Sequence, residues 1–333
     1  MDKIKKILAV LLRVGISGIL LVLLFKFNKI NVGDLLIDIK SANKFFLSVG
    51  FMIFFIVYVL GFFRWQMLLK AAGVNIPLKR LAISFSGGVF FSIFLPSTIG
   101  GDLVRAADLA GHTQKTKEVI ATVFLDRLSG YIGLVMVVIL ALLFSKGMVQ
   151  DKVVLSSVIV IIVVLVLVTS VLFNSFIYSK ITKILSTPGA GRIKEMIKGL
   201  HHEIHIFRNH RKMILGNLFI SFIIQIIAPV SVYFIALSLG IKINFIYFLI
   251  FLPIIGAITL LPVALGGLGL RENLFVVYFA KAGVVKQLAI AMSLLSFAFI
   301  IIYGALGGLL YVLTVRHRRL QYNTSPEIPR KHA

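Results

Sequence analysis

The chain has no cysteine, one tryptophan, eight prolines and only 12 acidic residues in 333. Without cysteine there is no disulfide framework, no thiolate nucleophile and no Cys-ligated metal. Charge of either sign is scarce: Asp, Glu, Lys and Arg make up 14% of the residues, against about 25% in an ordinary soluble chain. That scarcity excludes a soluble globular enzyme. Chemistry-bearing motifs are missing as well. All seven histidines (112, 201, 202, 205, 210, 317, 332) fall in polar segments, no serine sits in a nucleophile-elbow setting, and no phosphate-binding P-loop occurs. No enzyme activity and no cofactor are expected.

What the chain does have is apolar length. Hydrophobic residues are 59% of the total, mean hydropathy is +1.03, and runs such as 153–171 (VVLSSVIVIIVVLVLVTSV) present no polar face to water. The composition specifies an all-α integral membrane protein. The remaining charge is lopsided, 35 Lys and Arg against 12 Asp and Glu, a net +23. A nucleic-acid binder would collect such an excess on a folded polar domain; here it lies between apolar segments, so nucleic acid is not an expected partner. Lys3, Lys5 and Lys6 before an apolar run suggest a signal peptide. Arg13 within the run, a crossing length over 7–25 and the absence of a small-x-small site before Lys26 favour a retained helix instead.

Apolar windows fall at 7–25, 45–63, 81–95, 119–144, 153–177, 213–239, 245–265 and 288–314. The third is short of the roughly 20 residues that a crossing helix needs. It runs into Leu95-Pro96-Ser97-Thr98-Ile99-Gly100-Gly101-Asp102, and is expected to stop inside the membrane. The segment that follows carries Asp102, Arg105, Asp108 and His112, which belong at membrane depth only if buried in protein or lining a wet cavity.

The strongest internal signal is a repeat. Leu95-Pro96-x-x-x-Gly100-Gly101-x-x-x-Arg105 recurs as Leu261-Pro262-x-x-x-Gly266-Gly267-x-x-x-Arg271, all five positions at one offset of 166 residues. The same offset superposes the neighbouring windows to within a few residues. Each half then reads span, span, broken segment, span, about 7–144 and about 153–314 of a single membrane domain covering 1–315. Three full spans separate the two motifs, so the broken segments enter from opposite faces and their tips can meet near the midplane. The expected architecture is an inverted repeat of about six full spans and two re-entrant helical hairpins. Counting Lys and Arg puts 22 in the loops that share a side with both termini and 9 in the others, which favours cytoplasmic termini in a plasma-membrane protein.

Arg105 and Arg271 each sit one helical turn beyond a glycine pair. Gly100, Gly101, Gly266 and Gly267 let a ligand approach the backbone at a helix N-terminus, and an arginine fork there suits phosphate. These six residues are the candidate headgroup-binding set. The competing reading is that the glycines serve tight packing, with Arg105 paired to Asp102 or Asp108 and Arg271 to Glu272. Asp126 and Arg127 are adjacent on a helix, point about 100° apart and need not pair with each other. With Asp102 and Glu272 they form a charge network or a proton-coupling group. Arg13 and Arg64, the latter beside Trp65, read as interfacial anchors.

The loop 178–212 contains a basic amphipathic helix suited to an anionic leaflet: Ile193, Met196, Ile197, Leu200, Ile204 and Phe207 share one face. His201, His202 and His205 within it read as a solvated polar face rather than a metal site. The tail 316–333 is expected to be disordered.

The two glycine motifs, with Asp126-Arg127, resemble the lysylphosphatidylglycerol synthase transmembrane family over about residues 5–315. The resemblance implies a flippase-like membrane domain without the soluble synthase domain, so aminoacyl transfer is not implied. It implies membrane lipids as partners, either an anionic phospholipid or a polyprenyl phosphate. The alternative class is a non-transporting scaffold for a cell-envelope lipid or glycan synthesis enzyme, docked through the basic loop; a homo-oligomer is compatible with either.

Overall fold

The computed structural model describes residues 30–95, 99–145, 147–173, 210–260 and 267–324, together with isolated positions between 15 and 26. Most of the window 7–25, the basic loop as far as 209 with His201, His202 and His205, Gly266 and the final residues 325–333 lie outside the described residues. Among the latter every regular element is a helix: α1 (Val32–Ser41), α2 (Lys44–Ala71), α3 (Leu78–Phe94), α4 (Ile99–Thr113), α5 (Thr116–Phe144), a single 3₁₀ turn at Met148–Gln150, α6 (Lys152–Phe173), α7 (Arg211–Ser238), α8 (Ile246–Thr259), α9 (Leu270–Ala280) and α10 (Lys286–Thr324).

Five helices, α2, α5, α6, α7 and α10 as far as Thr314, are long and apolar enough to cross a bilayer. They coincide with five of the six expected spans. Their starts are set by caps: the Asn43 side chain accepts from the N–H of Phe45 at 3.0 Å, and Asp151 accepts from Val153 and Val154 at 2.9 and 3.0 Å, satisfying donors that open a helix. Outward faces stay apolar. On α6 Val160, Val163, Val164 and Leu167 are all at least half exposed, a surface compatible with lipid and not with water.

The other four long elements form two helical hairpins. At 1.5 Å per residue the 14-residue α8 and 11-residue α9 reach only about 21 and 16 Å, well short of a hydrocarbon core of about 30 Å. The 17-residue α3 and 15-residue α4 reach about 26 and 22 Å. In each pair the two helices pack on each other, so neither needs to cross.

Helix contacts follow the repeat. The equivalent spans α2 and α7 pack on each other. The first hairpin's α3 packs on α10 as the second hairpin's α8 packs on α5, and α4 packs on α5 as α9 packs on α10. Exchanging the halves thus leaves the packing scheme unchanged, and among the described residues three helices of crossing length (α5, α6, α7) separate the two hairpins. Small residues permit the close approaches. Gly307 on α10 lies so near α3 that an added methyl would come within 2.9 Å of the Ser86 carbonyl, and Gly133 on α5 is equally tight against Ser221 of α7.

One helix and one helix boundary go beyond the reading of the sequence. The polar stretch before α2 contains a helix, α1, capped by Asn31 and held to α10 by a 2.5 Å hydrogen bond from Gln287 to Asp38; ten residues were too short to register against longer apolar runs. The tail expected to be disordered from 316 is helical to Thr324, because α10 propagates through a run with no helix breaker before Pro326.

Outside the spans, Asp151 also links the α5–α6 connection to the end of α9 through Lys281 at 2.6 Å. The hydrogen bond from Lys281, then those from the Val154 and Val153 N–H groups, hold its carboxyl below the usual carboxylate range. A depressed folded-state value means that the stabilisation is present at neutral pH and disappears as pH falls below about 4. Asp151→Asn is therefore expected to lower the thermal midpoint slightly at pH 7, with the difference from wild type narrowing as the pH falls through and below the ordinary carboxylate range; a constant difference at acid pH rejects the assignment.

Candidate functional site

The halves meet around one cavity of about 590 Å³. Its walls are mostly apolar, with Phe54 (α2), Phe85 (α3), Leu252 (α8), Phe275 (α9) and Phe299 (α10) among them, and the charged lining is Arg64, Asp102, Arg105, Asp126, Arg127 and Arg271. Arg105 from the first hairpin and Arg271 from the second thus face a common space, as the repeat predicts.

The first pole is a five-membered ionic network. Asp126, on α5, is its hub: Oδ1 accepts from Arg64 Nε at 2.7 Å and Oδ2 from Arg105 Nη2 at 2.8 Å. The same Nη2 reaches Asp102 Oδ1 at 3.0 Å, and Asp102 Oδ2 accepts from Arg127 Nε. Asp126 and Arg127 diverge as their adjacency requires, one to Arg64 and Arg105, the other to Asp102. Arg105 is 95% buried, its guanidinium stacked 4.5 Å above the Trp65 ring. Trp65 is fixed from behind by its indole N–H donating to Thr122 at 3.2 Å. Both of Arg105's ion pairs run through Nη2, and its buried Nε has no hydrogen-bond partner among the described residues.

The second pole is smaller. Arg271 Nη2 lies 2.9 Å from Glu272 Oε1, its Nε donates to Ser293 Oγ at 3.2 Å, and its guanidinium stacks 4.3 Å from the Phe297 ring. Glu272 is wholly buried and also accepts from Ser293 at 3.1 Å and from the Gly269 N–H at 2.6 Å, which closes the first turn of α9. Gly267 and Gly269 hold φ of 77° and 82°, the left-handed region where glycine carries no side-chain penalty.

At the first motif the glycines make a close helix contact. A methyl on Gly101 would overlap the Gly88 carbonyl oxygen, and one on Gly100 would overlap the Leu95 side chain. These two positions let α3 and α4 touch; it is Gly88 that lines the cavity, where it makes room for Arg105. Asp108 is not a partner of Arg105. It pairs with Arg80 at 2.7 Å and accepts from Ser84 and, at 3.4 Å, from Tyr311, fastening the base of the hairpin to α10.

Arg64 and Trp65 are not interfacial anchors. The window 45–63 stops at Arg64 because the charge interrupts it, yet α2 continues to Ala71 with Trp65, Leu68 and Leu69 buried. That i, i+3, i+4 spacing was the available signal that the arginine lies inside a packed helix. Ser293, which bridges Arg271 and Glu272, carried no signal, since serine is common in membrane spans.

Comparison with known proteins agrees with this architecture. A protein of Pyrococcus horikoshii named as a UPF0104 membrane protein is 24% identical over 309 residues, 85% of this chain and 90% of its own length. Two proteins of Methanothermobacter thermautotrophicus with the same designation are each 23% identical, over 309 and 290 residues, covering 86% and 78% of this chain and 88% and 81% of theirs. The sequence model described as lysylphosphatidylglycerol synthase TM region matches residues 10–308, hairpins and ionic network included, and the chain belongs to that family.

Proposed function

We propose that the protein is a lipid translocase that moves a phosphate-bearing lipid, a phospholipid or a polyprenyl-phosphate-linked one, between leaflets of the plasma membrane, with both termini cytoplasmic. The observation that carries this reading is the shared cavity: an arginine from each inverted hairpin borders one space whose remaining walls are apolar. The headgroup occupies the polar centre while the acyl or prenyl chains stay in the bilayer. Arg105 and Arg271 bind phosphate together or in turn, and Asp102, Asp126 and Glu272 hold the guanidinium groups in position. No covalent step is required.

The test is transport. Protein reconstituted in liposomes should render fluorescent phosphatidylglycerol or a labelled polyprenyl phosphate accessible to an external quencher faster than protein-free vesicles do. Arg105→Gln leaves Asp126 paired with Arg64 and Asp102 with Arg127, so the fold should survive. Losing one charge-assisted phosphate contact, about 1.5–3 kcal/mol, should slow transport by roughly 10- to 100-fold; Arg271→Gln should do likewise. Rates equal to those of empty vesicles across both lipid types would refute the reading.

A further inference from the structure

Resting on the reading of this cavity as a headgroup pathway, we propose that the seam between α2 and α10 is the slot that takes the acyl or prenyl chains of the lipid. A lipid whose headgroup lies in the cavity and whose chains lie in the bilayer needs one wall that parts along its length. The walls differ in how they are held. α5 and α7 touch backbone to backbone: a methyl on Gly133 would come within 2.9 Å of the Ser221 carbonyl carbon, the Ser221 hydroxyl donates to Ser129 at 3.2 Å, and Gln225 donates to the Gly130 carbonyl at 3.2 Å. α3 lies equally close to α10 at Gly307, and α2 to α7 at Gly50, whose carbonyl accepts from Ser231 at 2.7 Å. Parting α5 or α2 from α7 strands polar groups where no water replaces the lost partner.

In the repeat, α2 and α10 are the counterparts of α7 and α5, yet they meet through different atoms. The Tyr303 ring of α10 lies 4.6–6.1 Å from the rings of Phe51, Phe54, Phe55 and Tyr58 on α2, and the Phe299 ring lies 5.2 Å from Phe51. Among the described residues one hydrogen bond crosses this seam, from the Tyr303 hydroxyl to the Phe51 carbonyl at 3.0 Å. The Tyr58 hydroxyl, 2.7 Å from that of Ser86 on α3, bounds it on one side. The order of residues round each helix sets these rings between two environments. On α2, Phe54 and Gly61 line the cavity, Phe51 and Tyr58 face Tyr303, and Met52, Phe55 and Ile56 beyond them are exposed. On α10, Ser296 and Ile300 line the cavity, Phe299 and Tyr303 fill the seam, and Ile302 and Leu306 are exposed. A single layer of rings thus divides the cavity from the outward apolar surface. Rings turn about their side-chain torsions without moving the backbone, and what they uncover is apolar, so this wall yields to a hydrocarbon chain at the least cost.

The absence of cysteine from the chain makes the test direct. Phe51→Cys and Tyr303→Cys are introduced together in the full-length protein, reconstituted in liposomes, and joined with a short bifunctional methanethiosulfonate that a reductant removes. Cross-linking should bring transport of fluorescent phosphatidylglycerol down to the rate of protein-free vesicles, and reductant should restore it. Each single variant treated with the same reagent should keep its untreated rate. If the pair does not fold, Phe55→Cys with Tyr303→Cys spans the same seam. Transport that is unchanged by complete cross-linking overturns the slot. A second readout does not depend on transport. Phosphatidylglycerol with a photoreactive diazirine on one acyl chain, irradiated with the wild-type protein in liposomes, should label Phe54 and Phe299, the seam rings that border the cavity; label confined to outward residues such as Phe55 and Val160 overturns the proposal. Labelling of Phe54 and Phe299 in protein that moves no lipid supports the slot and defeats translocation, whereas transport that survives the cross-link defeats the slot alone.

Discussion

Gly101→Ala is expected to abolish recovery of folded protein. The added methyl would overlap the Gly88 carbonyl oxygen and press on Ser92 of the same helix. All of these atoms belong to α3, so no flexible side chain can yield, and the helices of the hairpin must separate. Separation pulls Asp102 and Arg105, both on α4, away from Asp126 and Arg127 on α5, so the steric change is compounded by loss of the ionic network. Overpacking a tight contact alone costs about 1–3 kcal/mol, and the lost ion pairs add to it. Gly111→Ala is the matched control: nothing lies within 4 Å of its added methyl, and alanine in a helix should be neutral or stabilising by up to about 1 kcal/mol. Gel filtration in detergent and the apparent thermal midpoint measure both. A well-folded Gly101→Ala protein with a midpoint near wild type would show that the hairpin does not depend on this contact.

The second large effect is expected at Asp126. Its carboxylate receives Arg64 and Arg105, from two different elements, and is 97% buried. Asp126→Ala leaves Arg64 without its carboxylate and Arg105 with Asp102 alone. Removing one partner from a buried ion pair costs about 3–5 kcal/mol, and repulsion between the two guanidinium groups, no longer bridged by a carboxylate, adds to that. Asp126→Ala should accordingly lower the midpoint far more than Arg64→Leu, which removes only one of the two cations and leaves Arg105 to the carboxylate. The double variant Asp126→Ala/Arg64→Leu should recover part of the loss, because one unpaired charge disappears. Additive effects of the two substitutions would argue against the hub arrangement.

Much of this was legible before any coordinates. The length of an apolar run is a direct physical measurement against bilayer thickness, so α2, α5, α6, α7 and α10 were found as spans and the short segments beside the glycine motifs as hairpins. The recurrence at 166 residues carried the two-fold relation, since equal halves of one chain repeat both spacing and turn chemistry. What failed were readings that depended on neighbours distant in sequence. Arg64 looked like an anchor because its partner lies 62 residues away on α5, and Asp108 looked available to Arg105 because both are on α4, although they point to different neighbours. The glycine pair at 100–101 was compatible with either a ligand or a second helix, and only the tertiary structure shows how closely Gly101 approaches α3.

By itself, then, the amino-acid order determined which segments are helical, which are too short to cross, and that the halves are equivalent, because those properties follow from local hydrophobicity and backbone chemistry. The tertiary structure alone decided which arginine meets which carboxylate, and that two arginines 166 residues apart border one cavity. Those outcomes depend on how closely helix backbones approach and how each is rotated about its axis, and both are settled by packing between elements far apart in the chain.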